Sequence, residues 1–372
     1  MSFIYNFMFV LLLVSAIYEV YTNEEPNKNW FYTIVGLMML TAGLAYGISP
    51  DWVAYWNAFE GAAQTSLGEL KDLSKALDME YGYLLLNKLI SSVGLGYGAF
   101  TLLIAVIALW LKTTTIYKYG GYVFMALLIY YVPTYFFEEQ IHVRQGMANA
   151  ITIFSIRYII NRDLRRFLIC LVVAFYFHKS AVAFLLAYWI VKIKFNNVTI
   201  IVLVGLAVVA NAIGLSTQID GIMQFMPFGV AETYNDYADA VTENSILGDI
   251  VKVLIVIAIL MFNNIVEKKD ELYPYFRNIY VFGVILYFFF GNGIFATRLP
   301  GFYTVFLVFL VPHMVKALKD NTTFKNIVFI SFTAYIITLF GHFYNTWSEK
   351  TGFDDYETFF NRKAPYSFFQ RN

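Results

Sequence analysis

The run LRRFLICLVVAFYFHKSAVAFLLAYWIVK, residues 164–192, decides the fold class of this chain. It is a long apolar stretch interrupted by His178-Lys179-Ser180, and basic residues lie near both ends: Arg157, Arg162, Arg165 and Arg166 at the first, Lys192 and Lys194 at the second. Because basic residues mark the cytoplasmic ends of membrane spans, the run is expected to cross outward and return. Each arm then has about 11–13 residues, or about 16–20 Å of helix. We predict two short helices with His178 at the outer turn.

The composition indicates a membrane protein with almost no soluble domain. Apolar residues make up 59% of the 372 residues and charged residues 14%. Soluble domains average about 45–50% and about 25%, so this chain has too little polar material to cover a soluble surface. The net charge is zero, which gives no sign of a nucleic-acid partner. The single cysteine, Cys170, excludes a disulfide framework.

Ten other runs are candidate membrane helices, since about 20 apolar residues cross about 30 Å of hydrocarbon. They cover 2–20, 31–48, 96–112, 121–137, 142–160, 198–215, 248–264, 276–291, 299–316 and 326–343. Residues 81–95 are too short and polar to span comfortably, which favours an interfacial or re-entrant helix. The sequence therefore predicts one all-α transmembrane domain over residues 1–372, with about 11–12 crossings.

The charge distribution assigns the loops to two sides of the membrane. The basic residues expected on the cytoplasmic side are Lys28, Lys112, Lys118, Lys268, Lys269, Arg277, Lys316, Lys319 and Lys325. The outer side receives residues 49–95, where Ser49-Pro50 is a helix-start signal for an amphipathic helix. It also receives residues 216–247, an acidic loop without lysine or arginine. Both termini then face outward.

Five charged or titratable residues stand out on the predicted outer side: Asp51, Glu80, Arg144, His178 and Arg298. A charge at mid-bilayer costs at least about 2.5–3.5 kcal/mol, so such residues usually have a partner or a task. For the arginines the structural interpretation is snorkelling or an ion pair with Glu138 or Glu139. For the carboxylates it is stabilisation of a helix N-terminus, and for the histidine a structural hydrogen bond. A catalytic role stays open for each.

Several catalytic signatures are missing from the sequence. It contains no P-loop, HExxH, CxxC or GxSxG motif and no Asp-rich cluster of the DxD type. No sequence signature therefore suggests a site for a metal and a nucleotide sugar. The outward-facing arginines, the histidine and the carboxylates are the chemistry that remains.

These residues occur in an order that resembles the EpsG-type polymerases, the Wzy-like enzymes that assemble bacterial O-antigen and exopolysaccharide. The resemblance covers roughly residues 45–315. It rests on five features in chain order. An Asp with aromatics follows the second span (Asp51 and Tyr55), Glu-x-Gly precedes a short helix (Glu80 and Gly82), and Arg-Gln opens a span (Arg144 and Gln145). Phe-His-x-Ser-Ala (Phe177 to Ala181) comes next, and then an Arg followed by Tyr and Pro (Arg298, Tyr303 and Pro312).

The resemblance implies a fold of the GT-C type and a reaction at the outer face of the bacterial plasma membrane. Such enzymes move a glycan from undecaprenyl pyrophosphate to the non-reducing end of another lipid-linked repeat unit. The leaving group is a lipid pyrophosphate, so the reaction needs no nucleotide and no cofactor. The implied partners are the lipid-linked oligosaccharide, membrane lipids and a chain-length-regulating membrane protein.

Site roles follow from this chemistry. Guanidinium groups bind phosphate bidentately, so Arg144 and Arg298 are assigned to the pyrophosphate. The acceptor hydroxyl needs a base within hydrogen-bond reach; Asp51 is favoured, with Glu80 and His178 next. The remaining substrate-binding candidates are Gln145, Tyr55 and Tyr303, with Tyr55 suited to stacking on a sugar ring.

Three other interpretations stay open. Another GT-C glycosyltransferase would use a polyprenyl-phosphate sugar. A membrane O-acyltransferase of surface glycans would use an intramembrane histidine with Asn or Asp nearby, but would leave two outer arginines without a task. A lipid-linked oligosaccharide flippase would show two related halves and charges along a central path.

Overall fold

The computed structural model describes residues 2–215, 246–291 and 295–361, and these are almost entirely helical. The predicted acidic loop 216–247 lies, except for its last two residues, outside the described residues. In chain order the helices are α1 Phe3–Thr22, α2 Lys28–Gly43, α3 Trp52–Gln64, α4 Leu70–Ala76, α5 Tyr81–Ser92, α6 Tyr97–Tyr119, α7 Val123–Tyr130, α8 Val143–Ile160, α9 Leu164–Phe177, α10 Ala187–Ile190, α11 Asn197–Ala212, α12 Ile246–Val266, α13 Tyr273–Phe290, α14 Phe295–Thr304, α15 Leu307–Ala317 and α16 Thr322–Thr351. Two π-helical turns, Tyr131–Tyr135 and Phe137–Ile141, follow α7, and a 3₁₀ helix, Lys179–Leu186, precedes α10.

Five segments of the described chain are long and apolar enough to cross a membrane: Phe3–Thr22, Tyr97–Tyr119, Gly248–Val266, Arg298–Ala317 and Thr322–Trp347. Shorter apolar helices cover Val123–Tyr135, Lys179–Ile190 and Asn197–Ala212. The prediction of an all-α polytopic membrane protein is confirmed. The count of about 11–12 crossings stays a prediction.

The broken segment at 164–192 has the predicted form. Helix α9 ends at Phe177, and His178 is extended, with φ −159° and ψ 118°. The 3₁₀ helix and α10 then run back beside α9. The hydrogen bond from Arg162, at the start of the first arm, to the carbonyl of Tyr188 in α10 at 2.5 Å shows this return. His178 therefore lies at the turn between two short arms.

The short helix α5 occupies the predicted interfacial segment 81–95 and packs against α3 and α9. A Cβ placed on Gly82 would lie 2.7 Å from the carbonyl oxygen of Tyr176, so only glycine allows this approach. The close contact brings the start of α5 beside the end of α9. Glu80 and His178 become neighbours as a result.

Basic residues gather at one end of the bundle, which we call the basic end. There Lys316 donates to the carbonyl of Gly121 at 3.3 Å, and Lys325 donates to that of Val20 at 3.4 Å. His313 bridges Asp270, at 2.5 Å, and the carbonyl of Tyr119, at 2.7 Å. The ends of α1, α6 and α15 and the starts of α13 and α16 therefore share this end.

Lys112 corrects the predicted charge map. It is not a loop charge of the basic end but a fully buried side chain within α6, paired with Glu138 and Glu139. The two glutamates considered as partners of Arg144 are therefore used elsewhere.

The opposite end, here the site end, is closed by the segment that follows α16. The Ser49 amide donates to the Thr351 carbonyl at 3.0 Å, and the Ser2 amide donates to that of Phe353 at 2.8 Å. A two-residue antiparallel pair joins Ala45–Tyr46 to Glu357–Thr358. These contacts fix the corner that precedes α3.

Candidate active site

The candidate site forms where several helix ends meet at the site end. Asp51 precedes α3, Glu80 precedes α5, and Arg144 lies in the first turn of α8. His178 follows α9, and Arg298 lies in the first turn of α14. Each of these residues lies near a helix end rather than in a helix centre, and the packing of α5 against α9 brings the ends together.

Glu80 is the centre of the site and is almost completely buried. One carboxylate oxygen accepts from Arg144 Nη1 at 2.5 Å. The other lies 3.0 Å from His178 Nδ1 and accepts the Lys179 backbone N–H at 3.2 Å. Burial alone raises the pKa of Glu80, but the His178 hydrogen bond and the charge of Arg144 outweigh burial and lower this pKa to about 2. Glu80 is therefore an ionised carboxylate at neutral pH.

This arrangement fixes the tautomer of His178. An ionised carboxylate only accepts hydrogen bonds, so His178 Nδ1 must carry the proton that points at Glu80. Burial is the largest influence on the pKa of His178 and lowers it below the ordinary 6.5; Glu80 opposes this, and the charge of Arg144 adds to it. The ring is therefore neutral at pH 7, with a lone pair on Nε2. Among the described residues, buried Nε2 has no hydrogen-bond partner.

Arg144 is held by Glu80 and by the loop before it. Its Nη1 also donates to the Asp78 carbonyl at 3.4 Å, and its guanidinium carbon lies 5.8 Å from the ring centre of Tyr55. Its Nε is buried and has no hydrogen-bond partner within the described chain. Arg144 therefore has donor capacity left for a bound anion.

Asp51 lies at the more open edge of the site. Its Oδ2 is 3.4 Å from His142 Nδ1, with 47% of the Asp51 side chain and 42% of the His142 side chain exposed. Its side chain makes no capping hydrogen bond to α3, which argues against the helix-stabilising interpretation. The His142 hydrogen bond is the largest cause of the lowered pKa of Asp51, and the charges of Arg144 and Arg298 also contribute. The field of Arg298 therefore reaches both Asp51 and His178.

The predicted tyrosines lie in the walls of the site. Tyr55 is buried between Arg144 and Tyr83. Tyr303 is fully buried, and its hydroxyl donates to the carbonyl of Ala183. These contacts tie α3 and α14 to their neighbours. Gln145 approaches α14 near Gly301.

The sequence model of the EpsG family matches residues 28–358, which include every residue of the candidate site. The chain belongs to the EpsG family. Membership indicates a polysaccharide polymerase-type function for this EpsG-family protein. No curated protein and no solved structure matches the chain.

The structure of the EpsG-family chain adds three residues to the predicted site: Asp78, His142 and Lys179. Lys179 reaches Asp78 at 3.4 Å, and His142 faces Asp51. Each lies within two residues of a predicted site residue, and this proximity was the sequence feature that could have indicated them. Within residues 2–215, 246–291 and 295–361, no group of three or more His, Cys, Asp or Glu side chains could hold a metal ion. Metal independence stays a prediction.

Proposed function

We propose that this EpsG-family protein is a glycosyltransferase that polymerises lipid-linked glycans. It transfers a glycan from undecaprenyl pyrophosphate to the non-reducing end of another lipid-linked repeat unit, at the outer face of the bacterial plasma membrane. The observation that carries the proposal is the joint binding of Arg144 and His178 by Glu80. One carboxylate thus orients a phosphate-binding group and a candidate base.

His178 is the base in this proposal. A carboxylate that binds Nδ1–H holds an imidazole in one tautomer and stabilises the imidazolium that forms when Nε2 takes a proton. The sequence favoured Asp51, but Asp51 is exposed and paired with His142. Glu80 already accepts from Arg144, His178 and Lys179, which leaves it little capacity to accept a substrate proton. The geometry therefore favours His178 over both carboxylates.

The transfer step forms one bond, breaks another and moves one proton. The acceptor hydroxyl oxygen forms a bond to the anomeric carbon of the donor glycan, and the hydroxyl proton passes to His178 Nε2. The bond from that carbon to the pyrophosphate oxygen breaks, and its electron pair leaves with the lipid pyrophosphate. Arg144 and Arg298 stabilise the charge that develops on the leaving group, a role commonly worth about 10²–10³ in rate for one donor.

The position of the site suits a lipid-linked substrate. The positive-inside rule assigns the basic end to the cytoplasm. The site lies at the opposite end of the bundle. Apolar helices of membrane-spanning length adjoin it, so the pyrophosphate of a membrane-embedded polyprenyl lipid can reach the arginines at the surface. A chain-length-regulating membrane protein is a proposed further partner.

Polymerisation in vitro tests the proposal. Purified protein receives undecaprenyl-pyrophosphate-linked repeat units, without nucleotide sugar, and a ladder of longer products is expected. Arg144→Ala and Arg298→Ala should each abolish the ladder, whereas Arg166→Ala is the matched control, because Arg166 is exposed and pairs with Asp163. Absence of a ladder with the cognate repeat unit would refute the polymerase assignment. Full activity in both site variants would refute the pyrophosphate roles.

A further inference from the structure

A second polar cluster lies inside the membrane-spanning part of the protein. Lys112 is fully buried in α6 and donates to Glu138 at 2.6 Å and to Glu139. Tyr130 on α7 donates to Glu139 at 2.5 Å, and Asn149 on α8 donates to Glu138 at 2.5 Å. Intramembrane ionisable residues are rare and usually functional. The polymerase mechanism above does not use this cluster.

The charges of the cluster do not balance if all its groups are ionised. Two carboxylates face one ammonium, and within the described chain no other cation bonds to them. Glu139 is 1% exposed and Glu138 11%, so the excess negative charge has little solvation by water. A buried uncompensated charge costs several kcal/mol, and such a group takes up a proton instead. Two carboxylates that share one counter-charge therefore hold a proton between them.

A small cavity lies between this cluster and the wall of the candidate active site. It has a volume of about 30 Å³, and its lining includes Glu139 and Gln140 together with Ser49, Trp52 and Tyr55. Three buried polar atoms of its lining have no hydrogen-bond partner among the described residues: Ser49 Oγ, Trp52 Nε1 and Gln140 Nε2. A cavity needs at least about 10–15 Å³ and polar partners to hold a water molecule, so this one has room for at least one. Tyr55 also lies beneath Arg144, so it borders both the cavity and the site.

We propose that the Lys112–Glu138–Glu139 cluster is a proton-binding site in which the two carboxylates share one proton. The pair exchanges this proton through water in the cavity, which extends from Glu139 to Tyr55 in the wall of the candidate active site. Of the two carboxylates, Glu139 lines the cavity. The proposal does not depend on the transferase assignment.

Infrared difference spectroscopy of the purified full-length protein tests the charge count. The carbonyl band of a protonated carboxylic acid is separate from that of a carboxylate and shifts in D₂O. Glu139→Gln and Glu138→Gln should each remove the band of one carboxylic acid, because a single carboxylate pairs with Lys112 and needs no proton. Lys112→Met should add one, because both carboxylates then become neutral. Glu80→Gln is the control and should leave the band unchanged, since Glu80 is ionised.

The exchange path has its own test. Ala45 lines the cavity, and Ala45→Leu fills it. The carboxylic acid band of the cluster should then shift in D₂O at least tenfold more slowly than in the wild type. A Glu139→Gln spectrum identical to that of the wild type would overturn the proton site, and an unchanged exchange rate in Ala45→Leu would overturn the path. These measurements need no substrate, so their failure is distinguishable from a failure to polymerise.

Discussion

The substitution Glu80→Gln separates positioning from substrate binding in this site. It keeps the shape of the side chain but removes the charge that holds Arg144 at 2.5 Å and fixes the Nδ1–H tautomer of His178. The amide can donate as well as accept, so the imidazole loses its single tautomer. Loss of an oriented base commonly costs about 10²–10⁴ in rate, or about 3–5.5 kcal/mol at 1.36 kcal/mol per tenfold. Removing a negative charge beside the pyrophosphate does not weaken donor binding, so kcat should fall while KM stays constant or decreases.

Steady-state polymerisation with varied lipid-linked donor measures both constants. Asp320→Asn is the matched control: Asp320 is 67% exposed at the basic end, and its contact with Lys269 is a surface ion pair, worth about 0–1 kcal/mol. The double variant Glu80→Gln/His178→Ala should lose less kcat than the product of the two single losses, since part of the effect of Glu80 acts through the histidine. The reasoning is refuted if Glu80→Gln keeps more than a tenth of the wild-type kcat, or if the losses of the two single variants multiply.

Three further predictions concern the same site. Activity should fall in acid as His178 takes up a proton, and the midpoint of this fall should lie below pH 6.5 because burial lowers the pKa of His178. The midpoint should move to a still lower pH in Glu80→Gln. A midpoint above pH 6.5 in a pH–rate profile would exclude His178 as the base. His178→Ala should cost about 10²–10⁴ in kcat, whereas Asp51→Asn should cost about tenfold or less; the opposite order in the ladder assay would restore Asp51 as the base. Gly82→Ala should abolish the ladder and lower the melting temperature, because the new Cβ would lie 2.7 Å from the Tyr176 carbonyl oxygen. Gly36→Ala is the control, because a Cβ at Gly36 meets no atom within 4 Å. Equal behaviour of the two alanine variants would contradict the role of the Gly82–Tyr176 contact.

The sequence was sufficient to predict the break at His178 because the physical constraint there is strong. Basic residues at both ends of 164–192 and an apolar run too long for one span have a single topological solution. The short helix at 81–95 was predictable for a similar reason, since its length and its Lys88 do not suit a span. Helix existence and the location of the site end therefore follow from local composition.

Pairing partners were not predictable in the same way. The structural interpretation of Arg144 named Glu138 or Glu139, a few residues away, as its ion-pair partner, but Arg144 pairs with Glu80, 64 residues away. Lys112 was counted as a loop charge, although it is an intramembrane partner of those glutamates. The positive-inside rule counts basic residues near span ends and does not distinguish a lysine in a loop from one buried a few turns inside its helix.

Two glutamates close to Arg144 in the chain are not its partners. Glu138 and Glu139 lie only six and five residues before Arg144, but both are bound to Lys112 inside the bundle, and Arg144 pairs with Glu80. A Lys112→Met variant should leave the Glu80–Arg144 pair in place, because Glu138 and Glu139 become neutral when Lys112 is lost, and a neutral carboxylic acid does not compete with a carboxylate for a guanidinium. Polymerisation should therefore persist in Lys112→Met, and loss of the ladder in a correctly inserted variant would contradict this reasoning.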